Sequence, residues 1–250
     1  MKRIAVAHLK GGVGKTTTAV NLAHLASRQG YRTLLVDLDA QGAASYILRV
    51  DGEAAAKAKD VIRAKKDILE HIYATDYPEL DILPGSLSLR KLPQLLAKEK
   101  DGGDGLDTMF KRIGKGYDLM IADAPAGLNL ESEAILRSVD LVVVPVVPSP
   151  LATATFETLR RFVKGMDVEV VGFYSMVDRR RKLHRETVEA KDGIRDVLPI
   201  SVPNVSAVER MTSERMPLAA VSRAGNAVEG YLRLWEELVA RLGLSSPKSR

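Results

Sequence analysis

At 250 residues the chain is long enough to close a sizeable hydrophobic core within one domain, and its hydrophobic content of 46% and charged content of 28% are those of an ordinary globular protein. The absence of cysteine excludes disulfides, cysteine-ligated zinc and cysteine-held iron–sulfur clusters. Most of the net charge of +5 is contributed beyond residue 150, which points to a polyanionic partner, DNA or an anionic membrane surface, or else to a solvated basic face.

The chain opens on a basic start and an apolar run that stops at Lys10-Gly11-Gly12. That run is too short for a signal-peptide core, and no later stretch approaches a membrane span, so a cytoplasmic protein is expected. Residues 3–9 read as a first strand, followed at once by glycines. Lys15–Arg28 then spaces Ala19, Leu22, Ala23, Leu25 and Ala26 with helical period, up to the stop signal Gly30. Residues 33–38 form the next apolar run and end in acids. Residues 51–75, rich in Ala and Lys, read as helical. Further apolar runs fall at 80–83, 117–122, 141–147 and 168–177, with helical stretches at 106–113, 131–138 and 153–164 and an exposed loop at 99–105. Residues 226–242 are amphipathic, with Val228, Leu232, Trp235, Leu238, Val239 and Leu242 on one side, and 243–250 read as a disordered tail. Continuous apolar strands alternating with helices predict one α/β domain over 1–250, a doubly wound, mostly parallel sheet flanked by helices.

Lys10-Gly11-Gly12-Val13-Gly14-Lys15-Thr16-Thr17 falls between a predicted strand and a predicted helix, the context a phosphate-binding loop requires. Glycines let backbone N–H groups turn inward around phosphates, and the helix N-terminus adds its positive dipole. Lys15 is placed to neutralise the β- and γ-phosphates, Thr16 to coordinate Mg²⁺, and Thr17 to reach the α-phosphate. The strict pattern G-x-x-x-x-G-K-[ST] is not met, because Leu9 stands at its first position; a second lysine, Lys10, heads the loop instead.

This segment resembles the deviant Walker A loop of the ParA/MinD-like P-loop ATPases. Val36-Asp37-Leu38-Asp39-Ala40-Gln41-Gly42 is similar to that family's switch I, with Ala40 where proline is more usual. Met120-Ile121-Ala122-Asp123-Ala124-Pro125-Ala126-Gly127 is similar to its Walker B and switch II segment, and Val142-Val143-Val144-Pro145 and Gly230-Tyr231-Leu232 match in family order. The resemblance implies an ATPase using ATP and Mg²⁺. Asp123, ending a strand, faces the metal's water shell. Asp39 positions the attacking water or accepts its proton, and Asp37 either supports the same corner or is a solvated strand-end acid. The resemblance also implies that Lys10 reaches across a homodimer to the partner's ATP, so that a cation supplied in trans completes neutralisation only after assembly. Gly12 is expected to lack room for a side chain because the partner's phosphates or loop approach it closely, and the base pocket is expected to form around residues 176–178 and Pro203.

Arg179, Arg180, Arg181, Lys182 and Arg185 make a dense basic patch after a predicted strand, at the opening of a helix. Arg210, Arg215 and Arg223 lie where the resemblance places a DNA-contacting surface. Nonspecific DNA binding needs only such phosphate-neutralising groups; the alternative is a solvated face with local salt bridges to Glu186 and Glu189. The leading expectation is an ATP-dependent, dimerising partition or positioning ATPase. It is nucleoid-associated, binds nonspecific DNA as the ATP dimer, and is released when a partner protein stimulates hydrolysis. A MinD-like membrane-cycling regulator is the second reading, since Asp123-Ala124-Pro125-Ala126-Gly127 is closer to the MinD form; against it, Glu229, Glu236 and Glu237 make the polar side of 226–242 acidic. A metabolic enzyme on the same scaffold is the third, disfavoured by the missing cluster cysteines and by the lack of a second substrate pocket in the sequence.

Overall fold

The computed structural model describes residues 1–250 apart from 51–54, 64–65, 99–103, 191–192, 222–224, 246 and 248–250. Eight strands, β1 (Lys2–Val6), β2 (Thr33–Asp37), β3 (Tyr73–Ala74), β4 (Leu80–Leu83), β5 (Leu119–Asp123), β6 (Leu141–Val146), β7 (Glu169–Val177) and β8 (Val197–Pro203), form one sheet in the order β3-β4-β2-β5-β1-β6-β7-β8. Every pairing is parallel except β3 with β4. The helices are α1 (Lys15–Arg28), α2 (Ala43–Ile47), α3 (Ala58–Ile62), α4 (Leu92–Leu96), α5 (Asp104–Ile113), α6 (Leu130–Arg137), α7 (Pro150–Phe162), α8 (Lys182–Glu189), α9 (Ser206–Glu214), α10 (Leu218–Val221) and α11 (Gly225–Leu242).

Strands β2, β5 and β6 are buried at every residue, as continuous apolar runs covered on both faces must be. Successive side chains point to opposite faces and so feed two cores. Ala5, Val36, Ala122 and Val144 pack on one face with Leu92, Phe110, Ile135 and Phe156 of α4 to α7. Ile4, Val6, Ile121 and Val143 pack on the other with Leu22 and Ala23 of α1 and Tyr231 and Trp235 of α11. The sheet brings the C-terminal ends of β1, β2 and β5 side by side, with Asp123 in register with both Val6 and Asp37. Open α/β sheets bind ligands at such ends, where the strand order reverses direction.

Several boundaries differ from the sequence reading. β1 stops at Val6, and residues 7–9 already belong to the loop. α7 starts at Pro150, because proline suits the first turn of a helix and Ser149 caps it, its hydroxyl accepting the Ala152 N–H at 3.3 Å. The expected helix over 51–75 reduces to α3, a 3₁₀ turn at Lys66–His71 and β3, where the pairing of Tyr73 and Ala74 with β4 overrides helix propensity; residues 51–54 and 64–65 lie outside the described residues. Of the expected loop 99–105, residues 99–103 are outside the described residues and α5 begins at Asp104. β8 was hidden by Pro199 and Pro203, which a sheet edge tolerates, and its pairing with β7 is broken by register shifts. In α11 the buried stripe is Ala227, Tyr231, Leu234, Trp235, Leu238 and Leu242, while Leu232 is exposed. After α11, Gly243 takes a left-handed φ of +59°, and its N–H and that of Leu244 close the helix on the carbonyls of Ala240 and Val239.

Candidate functional site

The loop between β1 and α1 owes its shape to two left-handed glycines, Gly12 at φ +71° and Gly14 at φ +95°. Gly14 is also the N-cap of α1, where a Cβ would lie 3.1 Å from the Ser175 hydroxyl oxygen. That hydroxyl donates to the Val13 carbonyl at 3.0 Å, tying the loop to β7. The left-handed φ of Gly12 favours glycine on backbone grounds, and within its own chain a Cβ there would meet nothing within 4 Å. The first turn of α1 has no acidic residue and no side-chain cap, which leaves its N–H groups without a side-chain acceptor, and Thr16 and Thr17 within it are half-buried.

Lys15 is buried, and its ammonium donates to the Lys10 carbonyl at 3.5 Å. Burial lowers its pKa, opposed by Asp123 and then Asp39. Asp123 is fully buried at the end of β5, and neither carboxylate oxygen has a hydrogen-bond partner. Burial, and then the neighbouring Asp37, push its pKa well above the usual range, while Thr16 and Lys15 favour the ionised form. An unpartnered buried carboxylate is costly to keep, and oxygen ligands suit Mg²⁺. No cluster of three or more His, Cys, Asp or Glu able to hold a metal occurs among the described residues. The unpartnered carboxylate of Asp123, with Thr16 beside it, fits an oxygen-liganded cation such as Mg²⁺.

The two switch I acids divide their work. Asp37 is buried, and its carboxylate accepts the Ser45 hydroxyl at 2.7 Å, the Ser45 N–H at 3.0 Å and the Asp39 N–H at 3.3 Å. Ser45 in turn accepts the Gly85 N–H at 3.0 Å, and a Cβ on Gly85 would fall 2.8 Å from the Asp37 carboxyl carbon. Asp37 is thus the anchor of the switch loop and of α2, neither solvated nor facing the loop's open side. Asp39 is half-buried, its carboxylate accepts only the Gln41 N–H at 2.9 Å among the described residues, and it acts electrostatically on Lys15, Asp123 and Glu131. Of the two acids, Asp39 is the more exposed and, among the described residues, the less engaged by hydrogen bonds.

Lys10 is exposed, and among the described residues its ammonium has no ion pair or hydrogen bond. Its N–H donates to Nδ1 of His8 at 2.9 Å, a contact that sequence reasoning missed. A lone histidine at a strand end reads as core, and nothing local reveals its partner. On the other side of the loop, a cleft of about 210 Å³ is lined by Thr17, Met176, Val202, Pro203, Asn204 and Val208, so the two segments expected around a base do adjoin the loop.

The expected anion-binding arginines are unequal. Arg180 pairs bidentately with Asp178, at 2.9 and 3.0 Å. Arg185 donates to the carbonyls of Arg179 and Arg180, and Lys182 pairs with Glu186 at 3.6 Å. Arg215 stacks over the Tyr46 ring at 4.5 Å and donates to the Tyr46 carbonyl. Arg179, Arg181 and Arg210 are exposed and make no ion pair among the described residues. Arg223 lies outside the described residues.

A family model described as an AAA domain matches residues 1–170. The sporulation initiation inhibitor protein Soj of Bacillus subtilis (strain 168) is 29% identical over 249 residues, covering 96% of this chain and 98% of Soj. The chromosome partitioning protein ParA of Myxococcus xanthus (strain DK1622) is 27% identical over 257 residues, covering 99% of this chain and 91% of that protein. The septum site-determining protein MinD of Pyrococcus horikoshii OT3, solved with Mg-ADP, superposes with a TM-score of 0.80 at 23% identity over 95% of each chain, a likeness of fold. The chain belongs to this AAA-domain family, as a ParA/MinD-like P-loop ATPase with a deviant Walker A loop.

Proposed function

We propose that the protein is an ATP-hydrolysing switch that dimerises around two MgATP molecules and, as the ATP dimer, binds DNA without sequence preference. The observation that carries this reading is the contrast between the two loop lysines. Lys15 is buried among Asp123 and Asp39, placed for its own nucleotide, whereas Lys10 is exposed with its ammonium unengaged in its own chain. A lysine held at the mouth of a phosphate loop without a partner is placed to serve a second copy. Backbone N–H groups of residues 11–17 and Lys15 hold the phosphates, and the 176–178 and 203–204 side receives the base. Thr16 and Asp123 would hold Mg²⁺, which would supply neutralisation of phosphate charge. Asp39 orients the attacking water, and Lys10 from the partner completes neutralisation of the transition state.

On this reading Arg179, Arg181 and Arg210 supply the phosphate contacts to DNA, with Arg180, Lys182 and Arg185 contributing after exchanging their present partners. Arg215 acts by holding α9 to α2 through Tyr46. Release on hydrolysis, accelerated by an activating protein, makes the cycle suited to partition or positioning of cargo, in keeping with the similarity to the chromosome partitioning protein ParA of Myxococcus xanthus. The membrane-cycling alternative finds less support, because the apolar side of α11 is buried against α1 and β8 and Trp235 is wholly enclosed. No helix among the described residues is long and apolar enough to cross a membrane.

The test is a gel shift on random-sequence DNA with ATP, ADP or no nucleotide, at two salt concentrations, beside co-sedimentation with anionic liposomes. The expected result is binding to DNA with ATP alone, weakening steeply as salt rises. Absence of DNA binding under every condition, or pelleting with liposomes instead, overturns the DNA reading.

A further inference from the structure

His8 follows β1 and lies beneath the phosphate loop, 1% exposed. Its Nδ1 stands 2.9 Å from the Lys10 amide nitrogen, and an amide N–H can only donate. Nδ1 is therefore the acceptor and the ring proton sits on Nε2. Nε2 faces the Thr155 hydroxyl of α7 at 3.5 Å, and that hydroxyl points its own proton at the carbonyls of Leu151 and Ala152, leaving a lone pair for the ring. The His8 carbonyl accepts the Gly127 N–H at 3.4 Å. One residue thus joins the loop, α7 and the segment after β5. Burial holds the ring pKa down to about 4, so the acceptor persists at neutral pH.

The head of the loop has little else to fix it. Gly11 and Gly12 are exposed, and Cβ atoms there would meet nothing within 4 Å. The Lys10 backbone is held by its N–H to His8 and, more weakly, by its carbonyl accepting Lys15 Nζ at 3.5 Å. We propose that His8 is a positioning residue, whose Nδ1 sets the direction in which Lys10 leaves the loop and hence how well Lys10 serves the nucleotide of a second copy. This rests on the trans role of Lys10 proposed above. His8 touches no nucleotide itself. Its partners place it where movement of the segment after β5, or of α7, is passed to the lysine.

The experiment compares His8→Phe, which keeps a ring without the acceptor, with His8→Asn, whose carboxamide oxygen can accept the same N–H, and with Lys10→Ala. Phosphate release is measured against ATP concentration, and binding of a non-hydrolysable ATP analogue by calorimetry. His8→Phe is expected to lower kcat by about tenfold to a hundredfold, the scale set by misplacing a reacting group, and to leave analogue affinity within about twofold. His8→Asn is expected to recover most of the loss. A wild-type kcat in His8→Phe beside an impaired Lys10→Ala overturns the role of His8 alone; wild-type kcat in both overturns the trans lysine with it. Loss of nucleotide affinity as large as the loss of kcat also overturns the positioning role. Should His8→Phe fail to fold, the ring ¹⁵N shifts of the unaltered protein decide: the Nε2–H tautomer is expected, and an Nδ1–H tautomer overturns the proposal.

Discussion

Lys15 and Asp123 illustrate how burial prepares a charged ligand's seat. Each is enclosed, each is pushed by burial towards its neutral form, and each partly restrains the shift of the other. On the proposed function, Lys15 would meet the phosphate anion and Asp123 the magnesium, so each buried charge would gain a counter-charge. Lys15→Ala is accordingly expected to abolish measurable binding of ATP by calorimetry while the chain stays folded; retained micromolar binding would show that backbone N–H groups alone hold the phosphates. Asp37 marks the limit of what spacing reveals. Its position at a strand end, two residues before Asp39, is readable in the sequence. Its duty is not, because Ser45 and Gly85 come from elements that only the fold brings to it. His8 is illegible for the same reason, its ring partner Thr155 lying far along the chain. The loop itself was legible, since Gly12, Gly14, Lys15 and Thr16 do their work within one short segment.

At the scale of elements, α1 carries the nucleotide site to the C-terminal helices. Asn21 donates to the Thr17 carbonyl at 2.7 Å and accepts the Leu218 N–H at 2.9 Å, joining the first turn of α1 to α10. Thr18 lies 3.4 Å from the Tyr231 hydroxyl of α11. The adjoining Gly230 explains why Gly230-Tyr231-Leu232 stands out in the sequence: a Cβ there would sit 2.6 Å from the Ser201 carbonyl oxygen, so α11 can cross β8 closely only with glycine. Gly230→Ala is expected to destabilise the fold by about 1–3 kcal/mol, read as a lower denaturant midpoint with unchanged slope. An unshifted midpoint would mean that α11 is free to lift from β8. Strands buried on both faces were legible from their apolar runs. β8 was not, because its prolines are tolerated only at the edge position that the topology gives it; in α11, Trp235, Leu238 and Leu242 are buried as expected and Val228 and Val239 pack against the core, but Leu232, though apolar, faces solvent.

For the molecule as a whole, the fold sets the strand ends bearing Asp37 and Asp123 beside the loop that bears Lys10, and leaves that lysine facing outward. On the proposed function every later step, DNA capture and release included, depends on a second copy closing over this face. The most direct measurement is molar mass in solution by light scattering, with magnesium and a non-hydrolysable ATP analogue, for the unaltered chain and for Lys10→Ala. The unaltered chain is expected to rise from 27.3 kDa to about twice that mass with the analogue and not with ADP, and Lys10→Ala to stay at the single-chain mass or to form a dimer unable to release phosphate from ATP. An unaltered chain that remains at 27.3 kDa at high protein concentration, with its nucleotide bound, contradicts the dimeric switch.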